Sequence, residues 1–333
     1  MAAAARARLD ALAKPQGALG RLEDLAVRLC LAAGTLMPQT RPRRLVVFAA
    51  DHGAVASGVS LWPQAVSRAV AATVLAGRAG CSVLARSTDT AVTVVDCGLA
   101  TEPLPPGAPL QAARVRPGTR DMTAEPALTV PEFDAALEVG RAAARRAVAE
   151  GARLLVAGDI GIGNTTAAAA ITALLCGCGT EEVIGPGAGA NDTVLAAKHR
   201  TVAAAVARAR GLGGKAAMAA VSGLEIAGMA GFYLEAAVRQ VPVVLDGAIS
   251  GAAALIAQAL EPHAVDRMIA SHRSPEPAHG HALRRLGLEP FLAWGMRLGE
   301  GTGALALLPQ LDMAAALMTG MATLDEALGL AHG

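Results

Sequence analysis

Aromatic residues are scarce in this sequence. Of its 333 residues, two are tryptophan, one is tyrosine and four are phenylalanine, so 2% of the chain is aromatic. Proteins that bind nucleic acids combine clustered lysine and arginine with aromatic side chains on which bases stack. The formal net charge is only +1, and the charges form no basic block. We therefore expect no nucleic-acid partner.

Long apolar runs are also missing. No stretch of about 20 residues lacks both charges and turn formers, so the sequence predicts no transmembrane helix and no membrane partner. Near the N-terminus, Asp10 and Lys14 lie where a signal peptide would carry its apolar segment. We expect a cytoplasmic protein. Because 53% of the residues are hydrophobic, the chain can bury a large core.

Cysteine and the common catalytic motifs give equally clear exclusions. The five cysteines lie scattered in apolar contexts, and the one C-x-C pair, Cys176 and Cys178, lacks a second pair or a spaced histidine, so packing is favoured over metal binding. The chain has no H-E-x-x-H, G-x-S-x-G or C-x-x-C motif, which argues against metalloprotease, serine hydrolase and dithiol redox chemistry. The sequence predicts neither a resident metal nor a cofactor.

The chain does contain a series of short apolar runs, each followed by a polar or glycine-containing loop. Strands are predicted at 44–50, 91–95, 153–157, 241–245 and 265–270, and Ala-rich helices at 65–86, 132–150, 165–175, 191–210, 222–238 and 248–260. This alternation predicts an α/β fold with a doubly wound, mostly parallel sheet and helices on both faces. Ligands bind beyond the carboxyl ends of such strands, so these loops form the candidate site.

Two of the loops are rich in glycine. Gly158 to Thr166 reads GDIGIGNTT, and its glycines allow backbone N–H groups to face an anion at the start of the following helix. It is not a Walker loop, because no Gly-Lys-Ser/Thr follows. Gly185 to Asp192 (GPGAGAND) opens the helix that contains Lys198, whose charge suits a phosphate, although a lone lysine on a helix is more often solvated. We predict phosphate or sugar binding by the first loop.

One carboxylate stands apart from the other charges. In FLAWGMRLGEGTG, Glu300 lies between Gly299 and Gly301, where small neighbours leave it open to a ligand. The alternative is a turn at a helix start, where an acid is favoured by the helix dipole. Singly, other strand-end groups are better explained as structural residues, but as a set they favour a site: Asp51, His52, Asp246, His272 and His279.

Six or more motifs together resemble one enzyme family. LDALAKPQGALGRLEDLA, FAADHGAVASGVSLWPQAVS, GDIGIGNTTAAAA, GLEIAGMAG, VPVVLDGAIS, ASHRSPEPAH and FLAWGMRLGEGTGA occur in order between Leu9 and Leu328. They resemble the nicotinate-nucleotide:dimethylbenzimidazole phosphoribosyltransferase family, which acts in cobalamin lower-ligand assembly. The resemblance implies transfer of 5-phosphoribose from nicotinate mononucleotide to 5,6-dimethylbenzimidazole or a related base, giving α-ribazole 5′-phosphate and nicotinate.

The resemblance also implies roles for particular residues. It places the catalytic glutamate at Glu300 and a second acid at Asp159, which is one methylene shorter than the family's glutamate. The implied phosphate and ribose contacts are Gly161, Ile162, Gly187, Ala188, Gly189, Lys198 and Ser274. The implied contacts to the base are Asp51, Ser60, Gln64 and Leu298. Ala69, Val70 and Thr73 stand where relatives usually carry Gln, Met and Asn, which leaves the preferred base open.

The resemblance further implies a smaller helical domain formed by residues 1–35 and 285–333, beside a large α/β domain formed by residues 36–284, and it implies a homodimer. The apolar face of 303–319 suits either a dimer contact or burial within one chain. Two rival functions remain. An enzyme that uses phosphoribosyl diphosphate is opposed by the lack of an Asp-Asp pair, since VTVVDCGLAT carries only Asp96. A non-catalytic nucleotide-binding protein is opposed by the intact LGEGTG motif.

Overall fold

A computed structural model of the protein describes residues 1–329. Thirteen α-helices, three 3-10 helices and six strands are assigned in this part of the chain. The strands are β1 (Arg43–Ala50), β2 (Ala91–Gly98), β3 (Leu110–Ala112), β4 (Leu154–Ile160), β5 (Val243–Leu245) and β6 (Met268–Ala270). The helices are α1 (Ala2–Asp10), α2 (Arg21–Ala33), α3 (Ala65–Leu75), α4 (Gly80–Ser87), α5 (Val130–Ala149), α6 (Asn164–Cys176), α7 (Asp192–Arg210), α8 (Gly214–Val221), α9 (Leu224–Val238), α10 (Ala248–Leu260), α11 (Pro277–Leu286), α12 (Thr302–Gly320) and α13 (Leu324–Ala327).

The six strands form one sheet in the order β3-β2-β1-β4-β5-β6, and every neighbouring pair is parallel. The chain moves outward from β1 in both directions, so the order reverses between β1 and β4. In an open sheet this reversal leaves a crevice beyond the carboxyl ends of the two strands. The prediction of a doubly wound parallel sheet is confirmed.

Alternate residues of β1 face the two sides of the sheet. Val46 and Phe48 pack into the larger apolar cluster, with α5 to α11, whereas Leu45 and Val47 pack into a second cluster on the opposite face. The second cluster includes buried residues of α1, α2 and α12. Helices therefore cover both faces, as predicted, and α12 buries its apolar residues within the chain. The division into domains at residues 35 and 285 stays a prediction.

The structure differs from the sequence prediction in a few places. The helix predicted over 65–86 is two helices, α3 and α4, because the chain turns at Gly77, which has a φ of 71°. The strand predicted over 265–270 begins at Met268, since Pro262–Arg267 forms a 3-10 helix. A short edge strand, β3, follows the Pro-rich loop and was not predicted. The break before α4 matters most, because it brings the start of α4 to Glu300.

Two segments are long and apolar enough to cross a membrane by length and composition alone, Ala65–Ser87 and Thr302–Gly320. The first is interrupted between α3 and α4. The second, α12, packs against α2 and buries Leu305, Leu308 and Leu311. Its one charged residue, Asp312, pairs with Arg43 at 2.8 Å. The second segment thus belongs to the folded core, whereas 33% of the first is buried.

Candidate active site

A cavity of about 320 Å³ opens at the carboxyl ends of the strands. A smaller one of about 60 Å³ adjoins it and shares Gly161, Ile162 and Ala188 with it. Eight of the predicted site residues line the larger cavity: Asp159, Gly161, Ile162, Gly187, Ala188, Ser274, Leu298 and Glu300. Three more line the smaller cavity: Ser60, Gly189 and Lys198. The fold therefore brings together most of the residues that the sequence singled out.

Glu300 lies at the tip of an unusual backbone turn. Three consecutive residues have positive φ values, with Gly299 at 85°, Glu300 at 59° and Gly301 at 81°. Glycine adopts this conformation freely, but a glutamate there costs of order 1–3 kcal/mol. The turn also packs tightly on β4, since a Cβ on Gly158 would lie 2.5 Å from the carbonyl oxygen of Glu300. Such strain is typical of a functional site.

The side chain of Glu300 is 8% exposed and faces the cavity. The backbone N–H of Cys81, in the first turn of α4, donates a hydrogen bond to Oε2 over 3.2 Å. A carboxylate is favoured at a helix N-terminus by the helix dipole. Among residues 1–329, no hydrogen-bond donor contacts Oε1. One oxygen is thus held by the protein, and the other is free to take a proton from a ligand.

Asp159 is the second acid of the cavity, at the end of β4. Its Oδ2 accepts a hydrogen bond from the side-chain amide of Asn164 at 2.9 Å. Burial raises the pKa of Asp159 well above its ordinary value, and the nearby carboxylates of Asp246, Glu225 and Glu300 raise it further. The Asn164 hydrogen bond opposes this shift. A positive charge that develops in the cavity would favour the ionised form of Asp159.

The other end of the cavity is suited to an anion. The N-termini of two helices meet there, since Asn164 and Thr165 of α6 and Gly247 and Ala248 beside α10 all line the wall. Helix N-termini bind phosphate through free N–H groups and the dipole. Each helix follows a strand after a short loop, so both N-termini lie at the carboxyl edge of the sheet, beside the cavity.

Lys198 adds a buried cation behind this end. It is 2% exposed, and Nζ donates to Thr165 Oγ1 at 3.1 Å and to the carbonyl oxygen of Gly185 at 2.7 Å. An ammonium has three N–H groups, so one remains for a ligand. Burial lowers the pKa of Lys198, and the Glu276 carboxylate opposes this. Its burial contradicts the alternative of a solvated lysine, and its contact with a phosphate stays a prediction.

Glu276 and Ser274 hold the second glycine loop in place. Oε1 of Glu276 accepts the N–H of Gly187 at 2.8 Å, and the N–H of Glu276 donates to Oγ of Ser274 at 3.3 Å. The N–H of Ser274 in turn donates to Nδ1 of His279 at 3.0 Å. Nδ1 must be unprotonated to accept, which agrees with a pKa of about 3 for His279, lowered mainly by burial.

Two predicted contacts to the base, Asp51 and Gln64, lie outside the walls of both cavities. Oδ2 of Asp51 accepts the N–H of Ala100 at 2.8 Å, and Nε2 of Gln64 donates to the carbonyl oxygen of His52 at 2.8 Å. Both side chains therefore support the loop that follows β1. Direct contact of either one with a base stays a prediction.

A buried ion pair lies below the first glycine loop. Nε2 of His52 and Oε1 of Glu225 are 2.6 Å apart, and both side chains are at most 2% exposed. Burial lowers the pKa of His52, but the charges of Glu225 and Asp51 raise it by more, so the net shift is upward. A Cβ on Gly161 would lie 3.3 Å from this imidazole. The ion pair therefore packs directly against Gly161.

The remaining wall is apolar, with Val66, Val70, Ile160, Ile249 and Met296. Such a wall suits a flat aromatic base, which loses contact with water when it binds. Trp62 and Leu298, 51% and 61% exposed, lie at the mouth.

Sequence reasoning missed Arg297, the only arginine or lysine that lines the larger cavity in the described part of the chain. It also missed the structural tasks of Asn164 and Glu276. Arg297 directly precedes the LGEGTG motif, next to residues that were singled out. Its position three residues before Glu300 was the available signal, but nothing in the sequence says which way the side chain turns.

Comparison with known proteins gives a consistent answer. A family model described as phosphoribosyltransferase matches residues 1–328. A curated relative from Chromobacterium violaceum, named nicotinate-nucleotide–dimethylbenzimidazole phosphoribosyltransferase, is 48% identical over 326 residues, which are 97% of this chain and 94% of the relative. A relative of the same name from Thermus thermophilus is 47% identical over 332 residues, 99% of this chain and 98% of the relative.

The fold agrees with these relatives. The crystal structure of CobT from Thermus thermophilus superposes with a TM-score of 0.94 at 46% sequence identity, and the match covers 100% of this chain and 99% of that one. The strained glutamate turn, the two glycine loops and the anion end of the cavity therefore lie on a scaffold shared from end to end with that structure. The chain belongs to this phosphoribosyltransferase family.

Proposed function

We propose that the protein transfers 5-phosphoribose from nicotinate mononucleotide to 5,6-dimethylbenzimidazole or a closely related base, releasing nicotinate. The observation that carries this proposal is one accessible carboxylate oxygen, on Glu300, in a cavity with an apolar wall and an anion-binding end. The names of the curated relatives support the same pair of substrates.

The proposed step is a single displacement at C1′ of the ribose. The lone pair of one benzimidazole nitrogen forms the new C1′–N bond on the face opposite the nicotinate ring. The old C1′–N bond breaks, and its electron pair neutralises the pyridinium nitrogen of the leaving group. The other benzimidazole nitrogen loses its proton to Glu300. Because the leaving group is already cationic, neither a general acid nor a metal is needed to expel it.

Glu300 is suited to the base role by its partners. A general base must lie within hydrogen-bond reach of the proton that it removes. The N–H of Cys81 holds Oε2, Oε1 has no donor within residues 1–329, and Glu300 lines the cavity, so the carboxylate is both fixed and available. Its negative charge also stabilises positive charge that develops on the ribose and the attacking base. We propose that Asp159 assists electrostatically from the opposite side of the glutamate turn.

We propose that the phosphate of the donor lies at the anion end. Lys198, the glycine loops at 161–163 and 187–189, the N-terminus of α6 and Ser274 surround that end. A phosphate held there fixes the ribose, so that C1′ faces the attacking nitrogen without further loss of freedom. The benzimidazole then lies on the apolar wall near Ser60 and Leu298.

Nicotinate mononucleotide carries a second anionic group, the carboxylate on its ring, and we assign that group to Arg297. The guanidinium donates one hydrogen bond, to the carbonyl oxygen of Gly187 at 3.3 Å. It has no carboxylate partner within residues 1–329, whereas Lys198 already serves the phosphate end. A planar guanidinium pairs well with a carboxylate through two parallel hydrogen bonds.

We also propose that the protein is a cytoplasmic homodimer. Leu61, Trp62, Trp294 and Leu298 are each more than half exposed, and a dimer contact would remove such apolar side chains from water. Analytical ultracentrifugation of the purified protein tests the dimer, and a single species with the mass of one chain would contradict it.

Product analysis tests the proposed reaction. The purified protein is incubated without added metal with nicotinate mononucleotide and a panel of benzimidazoles, azoles and purines, and the products are identified by mass spectrometry and by the configuration at C1′. Release of nicotinate with an α-ribosyl phosphate of one base supports the proposal. A strict requirement for magnesium and phosphoribosyl diphosphate would replace it with the rival transferase, and binding without turnover would indicate a nucleotide-binding protein.

A further inference from the structure

The strained turn at Glu300 needs an anchor, and a carboxylate on a different strand supplies it. Asp246 follows β5 directly and is 1% exposed. Its Oδ2 accepts the N–H of Gly301 at 3.1 Å, and its Oδ1 accepts the N–H of Gly303 at 2.7 Å and of Ala304 at 3.3 Å. One side chain thus binds the residue directly after Glu300 and the first turn of α12.

These bonds control the direction of the Glu300 side chain. The plane of the peptide between Glu300 and Gly301 depends on ψ of Glu300 and φ of Gly301, and the bond from the Gly301 N–H to Asp246 holds that plane. Without that bond the peptide is free to rotate, and the strain of a left-handed Glu300 favours a turn in which its carboxylate no longer meets the Cys81 N–H. Asp246 also lines the larger cavity, so its action on the orientation of Glu300 has to be separated by experiment from a direct contact with a substrate.

Asp246 is itself held from a third side. Nε2 of His272, which follows β6, lies 3.5 Å from Oδ1 of Asp246. The His272 ring lies against Gly303, where a Cβ would come within 2.0 Å of Cδ2. The two strand ends and the start of α12 therefore form one packed unit behind Glu300.

We infer that Asp246 is a positioning residue for the reaction, which acts through the Glu300 turn and not through the substrate. This deepens the proposed function and rests on it for its kinetic consequences. A helix cap that only stabilised α12 would share the same hydrogen bonds. The distinction is that a positioning residue loses its effect on catalysis once Glu300 has no carboxylate to position.

A double-mutant cycle separates these two roles. We expect Asp246→Asn, which leaves either the Gly301 N–H or those of Gly303 and Ala304 facing an amide donor, to lower kcat about 100-fold, as expected for a displaced base, with the KM for nicotinate mononucleotide changed less than about 3-fold. In the Glu300→Ala background the same substitution should lower kcat less than about 3-fold. An equal loss in both backgrounds would overturn the inference. Asp246→Ser, which is smaller and still accepts one N–H, is measured in the same way.

Asp96→Asn is the matched control. Asp96 is also a buried acid at a strand end and accepts a backbone N–H, from Leu99 at 2.9 Å, but it lines neither cavity. The kcat of the Asp96→Asn variant should stay within about 3-fold of the wild-type value.

A crystal structure of the Asp246→Asn protein decides the inference independently of turnover. We expect the Glu300 carboxylate to shift by about 1 Å or more from the Cys81 N–H, a displacement large enough to cost about 100-fold in rate. An unmoved Glu300 would overturn the inference. If wild type released no nicotinate, the proposed function would be contradicted. The position of Glu300 in the Asp246→Asn crystal structure would still test whether Asp246 orients that side chain.

Discussion

The backbone N–H of Cys81 donates to Oε2 of Glu300 over 3.2 Å, from the first turn of α4. The bond exists because the helix predicted over 65–86 is broken before Gly80, so that the start of a new helix meets the glutamate turn. The protein thus holds the candidate base with a main-chain donor that every substitution of Cys81 except proline keeps.

We expect Cys81→Ala to keep kcat within about 3-fold of wild type, because the substitution keeps the backbone N–H that donates to Glu300. Burial, together with the neighbouring Glu300, raises the pKa of the Cys81 thiol to about 12, so the thiol is uncharged at neutral pH. Steady-state kinetics of the variant provide the check. A loss of about 30-fold or more, with the thermal midpoint little changed, would mean that the thiol takes part in the reaction.

Lys198→Met should weaken binding of the phosphate. We expect KM for nicotinate mononucleotide to rise about 10- to 100-fold, since a charge-assisted hydrogen bond to phosphate is lost. Nicotinate riboside, which lacks the phosphate, should be affected far less, and the ratio of the two donors is the measurement. Lys215→Met is the control, because Lys215 pairs with Asp134 at 2.9 Å on the surface. An equal change with both donors would show that Lys198 only stabilises the fold.

Arg297→Gln should reduce discrimination between donors. Wild type is expected to prefer nicotinate mononucleotide to nicotinamide mononucleotide, which has no ring carboxylate. The substitution should lower kcat/KM for the nicotinate donor about 10-fold or more and leave the nicotinamide donor within about 3-fold. Competition assays with both donors in one mixture measure this ratio directly. If both donors lose activity alike, Arg297 binds the phosphate that they share.

His279 should make the protein less stable in mild acid. Its pKa is lowered to about 3 in the folded protein, mainly by burial, whereas the unfolded chain has an ordinary value of about 6.5. The unfolded state therefore binds more protons between pH 6.5 and 3, and stability falls as pH falls through this window. From pH 7.5 to 5 this contribution amounts to about 2 kcal/mol.

The check is urea unfolding of wild type and His279→Asn at both pH values. The asparagine keeps a side-chain acceptor for the Ser274 N–H, and its stability should change less with pH than that of wild type. His52 acts in the opposite direction, since its raised pKa stabilises the fold below about pH 6.5 and the effect is lost as pH rises further. Because His52 is common to both proteins, the difference between them isolates His279. Identical pH dependence would contradict the assignment.

Much of the site was predictable because its signals are local in sequence. Glycines and acids directly after apolar runs indicate strand-end loops, and a parallel sheet brings all such loops to one edge. Asp159, Gly161 and Ser274 lie in such loops, and they line one cavity together with Glu300, which the LGEGTG motif indicated.

The parts that sequence reasoning missed depend on contacts between distant segments. The carboxylate of Asp246 and the N–H of Gly301 are 55 residues apart in the chain, and no spacing rule connects them. The left-handed conformation of Glu300 is likewise invisible in sequence, since glutamate rarely adopts it. Gln64 shows the reverse case, where a motif residue turns away from the cavity to bind the carbonyl oxygen of His52.

The most direct test of the account is the rate of nicotinate release by Glu300→Gln, measured beside wild type with both substrates saturating. Glutamine keeps the size and the acceptor for the Cys81 N–H but cannot take a proton. We expect the rate to fall about 100-fold or more while the Kd for nicotinate mononucleotide stays within about 3-fold. A variant that releases nicotinate within about 3-fold of the wild-type rate would show that Glu300 is not the base.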